Sequence, residues 1–368
     1  MKEIIKIVLT GGPCAGKSTA LDFLKTELEK VGENVLTLSE CATNLIKSGK
    51  TPENMGSYAF HSLLFATQLE SENKLIDVAR SMNHDRVIII CDRGLLDNRA
   101  YVTSEEFKKY SAAHGYSEEK IRVRYDAVFH MVTAADGAEE DYNFESNEIR
   151  SEDVAKAKWL DNEILSLWTG VNHLRIIDNS TDFNNKLSRL LQEVLAFIGN
   201  PEPLEIERKF LIEMPDLNFL QSIKTCCKIP ITQAYMNTPD EGIFRIRKRG
   251  DGENALYIKT VKRKISDIKR IEIENYISEK EYCNYISQKE YIKGVISKDR
   301  YCIALNSTYY ELDVYPFWHD KATLEIELLS EKQKYVLPDF IKLIKEVTYE
   351  KEYRNKALSV RYSDFFTP

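Results

Sequence analysis

The hydrophobic period of this chain changes near residue 200, and that change restricts its architecture more than any other feature. Before it, short apolar runs at residues 4–10, 35–38, 86–91, 127–132 and 174–178 alternate with longer helical patterns at 18–31, 57–82 and 183–197. Strand and helix in alternation predict an α/β domain, a doubly wound parallel sheet with helices on both faces. Gly199-Asn200-Pro201-Glu202-Pro203 then ends the last helix, because proline cannot continue one and restricts the residue before it. Beyond this boundary the period is two, as in Glu205-Ile206-Glu207-Arg208-Lys209-Phe210 and Leu324-Glu325-Ile326-Glu327-Leu328, which predicts antiparallel strands. The 368 residues are thus expected to divide into an α/β domain at 1–200 and a mainly β domain at 204–368.

Composition narrows the class. With 43% hydrophobic and 30% charged residues, the chain can bury a core and is not mostly disordered. No apolar run approaches the roughly 18 residues of a membrane span. No apolar signal core follows Met1 either, so a cytoplasmic location is expected. The seven cysteines include no CxxC pair and read as reduced thiols, the vicinal Cys226-Cys227 being packing residues rather than a redox switch. A net charge of −7 supplies no global field toward DNA. Residues 243–270 nevertheless carry ten Lys or Arg against Asp251, Glu253 and Asp267.

The first predicted strand runs into Gly11-Gly12-Pro13-Cys14-Ala15-Gly16-Lys17-Ser18-Thr19, a complete GxxxxGK[ST] loop between strand and helix. Gly11, Gly12 and Gly16 let the backbone bend around phosphate oxygens, and the amides at the helix start, through Thr19, point at them. Lys17 is placed to reach the β and γ phosphates and Ser18 to ligate Mg2+, so ATP or GTP is the expected ligand. The chain lacks an Asn-Lys-x-Asp guanine signature, which disfavours a Ras-like GTPase but not GTP binding. Asp92, after the third strand, either holds magnesium or its water, or caps a helix. Asp92-Arg93-Gly94 resembles the Asp-Arg element of nucleoside and nucleotide kinases, in which the arginine assists the acceptor. Glu40 ends the second strand, where such kinases keep a carboxylate for the acceptor hydroxyl. Arg150, after a polar stretch at 134–146 with the composition of a lid, is the candidate mobile arginine, ahead of Arg122 and Arg124. Asn179, closing the last strand, lines the base pocket or caps a turn.

In the second half the polar faces of the strands are selective. Glu205, Glu207 and Lys209 share a face, as do Arg245, Arg247 and Arg249, then Arg270, Glu272 and Glu274, then Glu325 and Glu327. On one strand a solvated face explains this; its recurrence on many strands points to a closed barrel with a charged interior. Such an interior needs partners of both signs, which divalent metal and polyphosphate provide.

Glu205-Ile206-Glu207-Arg208-Lys209 resembles the ExExK signature of the CYTH domains, the triphosphate tunnel metalloenzymes. Arg245 and Arg247, Lys259, Glu272 and Glu274, Arg300, Asp313, then Glu325 and Glu327 follow in that family's order. The resemblance runs from about residue 204 to the end and implies an eight-stranded antiparallel tunnel. By matching position it implies that Glu205, Glu207, Glu325 and Glu327, with Asp313, hold Mg2+ or Mn2+. It likewise implies that Lys209, Arg245, Arg247, Lys259 and Arg300 grip phosphates. Lys351 or Arg354 would supply a late basic residue, while Arg249, Lys262, Arg263 and Lys264 are read as surface charge. The first half resembles the AAA_28 P-loop domains, which are kinase-like despite the name, through residues 11–19, 39–43, 92–94, 124–126 and 177–179.

Together these readings predict a bifunctional phosphotransfer protein, a P-loop kinase or NTPase joined to a metal-dependent hydrolase of a triphosphate compound. The alternative is a nucleotide-regulated receptor whose tunnel recognises a phosphorylated ligand such as a phosphoinositide or polyphosphate. No RNA-binding patch with interleaved aromatics supports action on RNA ends.

Overall fold

A computed structural model of the chain describes residues 2–138, 154–200, 204–237, 243–252, 255–265, 269–288, 292–328, 330–331 and 333–363. Its contacts divide into two compact units, Met1–Glu193 and Val194–Pro368.

The first unit is built on five strands, β1 (Glu3–Thr10), β2 (Val35–Leu38), β3 (Arg86–Asp92), β4 (Ala127–Met131) and β5 (Leu174–Ile177). They are ordered β2-β3-β1-β4-β5 and every pairing is parallel, as the alternating pattern predicts. Strands covered on both faces read as continuous apolar runs, and Val87 through Cys91 has no exposure at all. Buried charges interrupt this core, Glu72 most completely. Glu72, fully buried, accepts from Lys6 Nζ at 3.0 Å, Arg124 Nη2 at 3.2 Å and the Tyr125 hydroxyl at 2.7 Å, so it is stabilised by three partners on two other segments. Arg124 is thereby a structural residue, and Arg122 donates to the Leu167 carbonyl; neither is a mobile arginine.

The second unit contains β6 (Leu204–Glu213), β7 (Cys226–Met236), β8 (Ile243–Arg249), β9 (Leu256–Lys264), β10 (Lys269–Ile277), β11 (Ile292–Leu305), β12 (Thr308–Val314), β13 (Lys321–Glu327) and β14 (Leu343–Glu346). All neighbours are antiparallel in the order β10-β9-β8-β7-β11-β12-β13-β6-β14, and β10 also pairs with β6. Eight strands, β6 to β13, therefore close a ring, as expected; the ninth is an addition. It shares one edge of β6, where Leu204–Ile206 pair with β10 and Phe210–Ile212 with β14.

Residues directly opposite in an antiparallel ladder share a face. The registers Glu325↔Lys209, Asp313↔Arg300 and Arg245↔Thr260 thus put the charged rows on the inside. Ile206, Phe210, Leu312, Leu324 and Ile326 have the opposite parity and form the apolar layer outside, under the helix Leu217–Ser222. Farther along the inward rows, Leu211, Tyr235 and Ile296 replace charges and are covered by Leu358 of the helix Asn355–Arg361.

Candidate functional sites

In the first unit the loop after β1 turns directly into the helix Lys17–Lys30. Two of its glycines are sterically required. Gly11 has φ +132° and a Cβ there would lie 2.0 Å from the Met131 carbonyl oxygen; Gly16 has φ +82° and its Cβ would meet the Phe183 ring at 2.4 Å. The loop borders a cavity of about 570 Å³ that also takes in Glu40, Thr43, Asp92, Asn179 and Lys186.

Lys17 Nζ is folded back onto the loop, donating to the carbonyls of Gly12 at 2.7 Å and Gly11 at 3.1 Å. Ser18 Oγ donates to Asp92 Oδ2 at 2.9 Å, while Asp92 Oδ1 is buried and has no hydrogen-bond partner. Burial pushes the Asp92 carboxyl up, and Lys17 opposes that rise. An unfilled carboxylate oxygen beside a serine hydroxyl is a donor set suited to Mg2+, so the residues present fit that ion. Asp92 caps no helix, since Gly94 holds the N-cap of the turn Leu95–Tyr101.

Arg93 adopts φ +76°, and its carbonyl accepts from Gln68 Nε2 at 3.0 Å. Its Nε donates to Glu40 Oε1 at 2.7 Å, which brings together the two residues expected to face the acceptor. Asn179 lines the cavity, but its Nδ2 donates to the carbonyls of Thr133 and Asp136 and its Oδ1 accepts from Lys186 Nζ at 2.6 Å. It ties two loops together. Arg150 lies outside the described residues, as does the stretch 139–146 of the expected lid.

Two residues of this site carry no sequence signal. Asp161, of the helix Val154–Trp168, accepts the Gly12 amide at 2.5 Å and pairs with His130 Nε2 at 3.1 Å. Burial raises its carboxyl, but His130 and that amide hold it below the usual carboxylate range. Lys186 is buried against the Val132 carbonyl, and burial pushes its ammonium down to about 8.

In the second unit the interior charges are paired with one another. Lys209 Nζ donates to Glu325 Oε1 at 2.7 Å. Arg300 grips Asp313 through Nε at 2.7 Å and Nη2 at 2.8 Å, reaches Glu325 at 2.9 Å and also contacts Glu311. Burial raises the Glu325 carboxyl, yet Lys209 and Arg300 hold it well below the usual carboxylate range. On the other wall Arg245 Nη2 meets Glu274 at 3.1 Å and Glu272 at 3.2 Å, and Lys262 Nζ meets Glu272 at 2.8 Å. Burial, then the neighbouring Arg245, push Arg247 down to about 10.

Four sequence readings change. Lys259 has the outward parity, opposite Ile246, and its ammonium sits 5.3 Å over the Phe244 ring, so it is not among the interior cations. Lys262 and Arg249, read as surface charge, are buried on the inward face; Arg263 and Lys264 are exposed as expected. Asp313 is engaged by Arg300 through both of its oxygens and by Lys298 as well, just as both oxygens of Glu325 are taken by Lys209 and Arg300. The interior does not depend on outside ions for pairing, since these carboxylates and cations already neutralise each other. Lys298 and Glu311 were missed, although each shares the parity of a recognised neighbour two residues on, Arg300 and Asp313. Lys351 is exposed and Arg354 half-buried.

Glu207 and Glu327 stand directly opposite each other across β6 and β13, two neighbouring carboxylates of the kind that divalent cations bind. The side chain of Glu205 lies outside the described residues. Among the described residues no group of three or more His, Cys, Asp or Glu side chains is arranged to hold a metal. Nor, among them, is any helix long and apolar enough to cross a membrane.

Comparison with known proteins matches residues 6–186 to the family AAA_28, described as an AAA domain, and residues 203–357 to the CYTH domain. An inorganic triphosphatase of Nitrosomonas europaea is 31% identical over 161 residues, covering 42% of this chain and 97% of that protein. A solved structure of an inorganic triphosphatase is 30% identical over 42% of this chain and 94% of its own, with a TM-score of 0.29. A protein from Pyrococcus horikoshii is 19% identical over 33% of this chain and 77% of its own, with a TM-score of 0.26.

Proposed function

The chain belongs to the CYTH family through residues 203–357, behind an AAA_28 domain at 6–186, and on that premise we propose that it is a bifunctional phosphotransfer protein. Its C-terminal unit hydrolyses a triphosphate compound with a divalent cation; its N-terminal unit binds ATP or GTP with Mg2+ and transfers or hydrolyses the γ-phosphate. The first activity rests on one observation, a closed ring whose interior brings Lys209, Arg245, Arg247 and Arg300 together with Glu207, Glu325 and Glu327. Guanidinium and ammonium groups suit phosphate oxygens, and the carboxylates suit Mg2+ or Mn2+. Glu207 and Glu327 would hold that ion, with Glu325 drawn from its cations. When bound, the ion supplies charge neutralisation and an activated water.

In the N-terminal unit the loop amides and Lys17 would cradle the phosphates and Ser18 with Asp92 would hold Mg2+. Glu40 would accept the proton of an acceptor alcohol, oriented by Arg93. The alternative is a receptor whose tunnel binds a phosphorylated ligand without cleaving it. Phosphate release from inorganic triphosphate, ATP and GTP, in Mg2+ and Mn2+, tests both readings. Triphosphate hydrolysis that requires Glu325 but not Lys17 supports the enzyme. A tunnel that binds triphosphate in chelator and cleaves none supports the receptor.

A further inference from the structure

The two walls of the ring neutralise their cations differently. On the β11–β12 wall Asp313 is fully buried and held by both arms of Arg300 at 2.7 and 2.8 Å. That is a fork geometry with no water between the partners, and it is costly to open. On the β8–β10 wall one nitrogen, Arg245 Nη2, is divided between Glu272 at 3.2 Å and Glu274 at 3.1 Å, Lys262 meets the other Glu272 oxygen at 2.8 Å, and the Glu274 oxygen also takes the Thr260 hydroxyl at 2.8 Å and Arg247 at 3.8 Å. The cations there are 7 to 10% exposed, whereas Glu272 is 16% and Glu274 23% exposed. The carboxylates are therefore the more water-accessible partners on this wall. Arg245, Thr260 and Glu274 lie in one row across three strands, so a rotamer change of Glu274 breaks its bonds without moving backbone.

We propose that Glu272 and Glu274 are resident counter-anions that occupy the polyphosphate-binding face of Arg245, Arg247 and Lys262 in the ligand-free protein and are displaced by the incoming anion. This rests on the tunnel's reading as a triphosphate site and adds a determinant of affinity to it. Among the described residues Arg245, Arg247 and Lys262 are each within 4 Å of at least one of these two carboxylates, so a free polyphosphate must compete for groups already engaged. Arg247 is the least compensated of the three: it is buried, its Nε has no hydrogen-bond partner, and burial depresses its pKa to about 10. It is the natural first contact for the entering anion. The carboxylates thus lower affinity for the free anion, and they recover the cations when product leaves.

The sign of the effect separates this role from others. Removing a carboxylate that merely braces the wall weakens anion binding in both buffers, and removing one that ligates metal weakens it in Mg2+; removing a competitor strengthens it in both. The full-length protein, as wild type, Glu272→Gln, Glu274→Gln and the double variant, is titrated calorimetrically with inorganic triphosphate in EDTA and again in Mg2+. The double variant is expected to bind metal-free triphosphate about tenfold tighter, and each single variant two- to fivefold tighter. The single variants keep the test open if the double variant misfolds. Unchanged or weaker binding in variants with a wild-type melting profile, beside a wild type that binds triphosphate, overturns this proposal alone. A wild type that binds no triphosphate in either buffer overturns it together with the functional reading beneath it.

Discussion

In the first unit the groups proposed to face phosphate come from nine consecutive residues, and at rest Lys17 is turned back onto carbonyls of its own loop. In the second they are single side chains on strands that lie as much as 116 residues apart, and at rest they are paired with each other. The loop offers mostly backbone donors, whose positions follow from dihedral angles. The ring offers side-chain charges, whose positions follow from strand parity and register. A backbone site needs little to hold it ready, because amides carry no net charge. A side-chain site must neutralise itself when empty, and it does so firmly on one wall and loosely on the other.

The largest way to break this comparison is to open the firm wall. Arg300→Met leaves the buried Asp313 carboxylate without its fork, and the C-terminal unit should lose about 3–5 kcal/mol, read from the urea midpoint of its unfolding transition. A loss under about 1 kcal/mol would mean that the wall is not held by that pair. Next is independence of the two sites. Lys17→Ala should lower ATP or GTP turnover on the order of a hundredfold while triphosphate hydrolysis stays within about twofold, by phosphate release. A parallel fall in both activities would show that they are coupled. Third, Lys262→Met should raise the KM for triphosphate about tenfold, the equivalent of ~1.4 kcal/mol. Lys259→Met, on the outer face, should change it less than about twofold. The reverse pattern would place β9 in the other register.

The smallest effect is a pH dependence in the first unit. Burial holds Lys186 at a pKa of about 8 in the folded chain, below the 10.5 of an ordinary lysine, so between these pH values the unfolded chain binds a proton that the folded chain has released. Stability therefore rises with pH across that window, and below about 8 the full cost of burying the charge is present. The stability difference between wild type and Lys186→Met should shift toward wild type from pH 8 to about 10 in denaturant titrations. A flat difference would assign the lysine its charge throughout.

Local signals explain what the sequence could tell. The parallel sheet was legible because its strands are apolar without alternation, and the loop because strand, glycines and lysine are contiguous. The interior rows were legible where alternation was clean, as in Glu325-Ile326-Glu327. In Leu256-Tyr257-Ile258-Lys259-Thr260-Val261-Lys262 apolar residues fall on both faces, so parity is ambiguous. The helix Glu279–Ser287 decides it by bringing Tyr285 near Lys259 on the outer face. Asp161 lies 149 residues from the amide it binds, a pairing that no local pattern encodes.

The divided edge of β6 also orders events in time. As the first strand of its unit to leave the ribosome, β6 takes its long pairing from β13 and its outer half-edge from β14, both near the end of the chain. Until those arrive it exposes unpaired amides and carbonyls on both sides, the template on which strands of separate chains associate. Closure of the ring waits on a contact of high sequence separation, which slows folding. A chain stopped before Lys321 would hence leave an open, sticky sheet rather than a smaller tunnel.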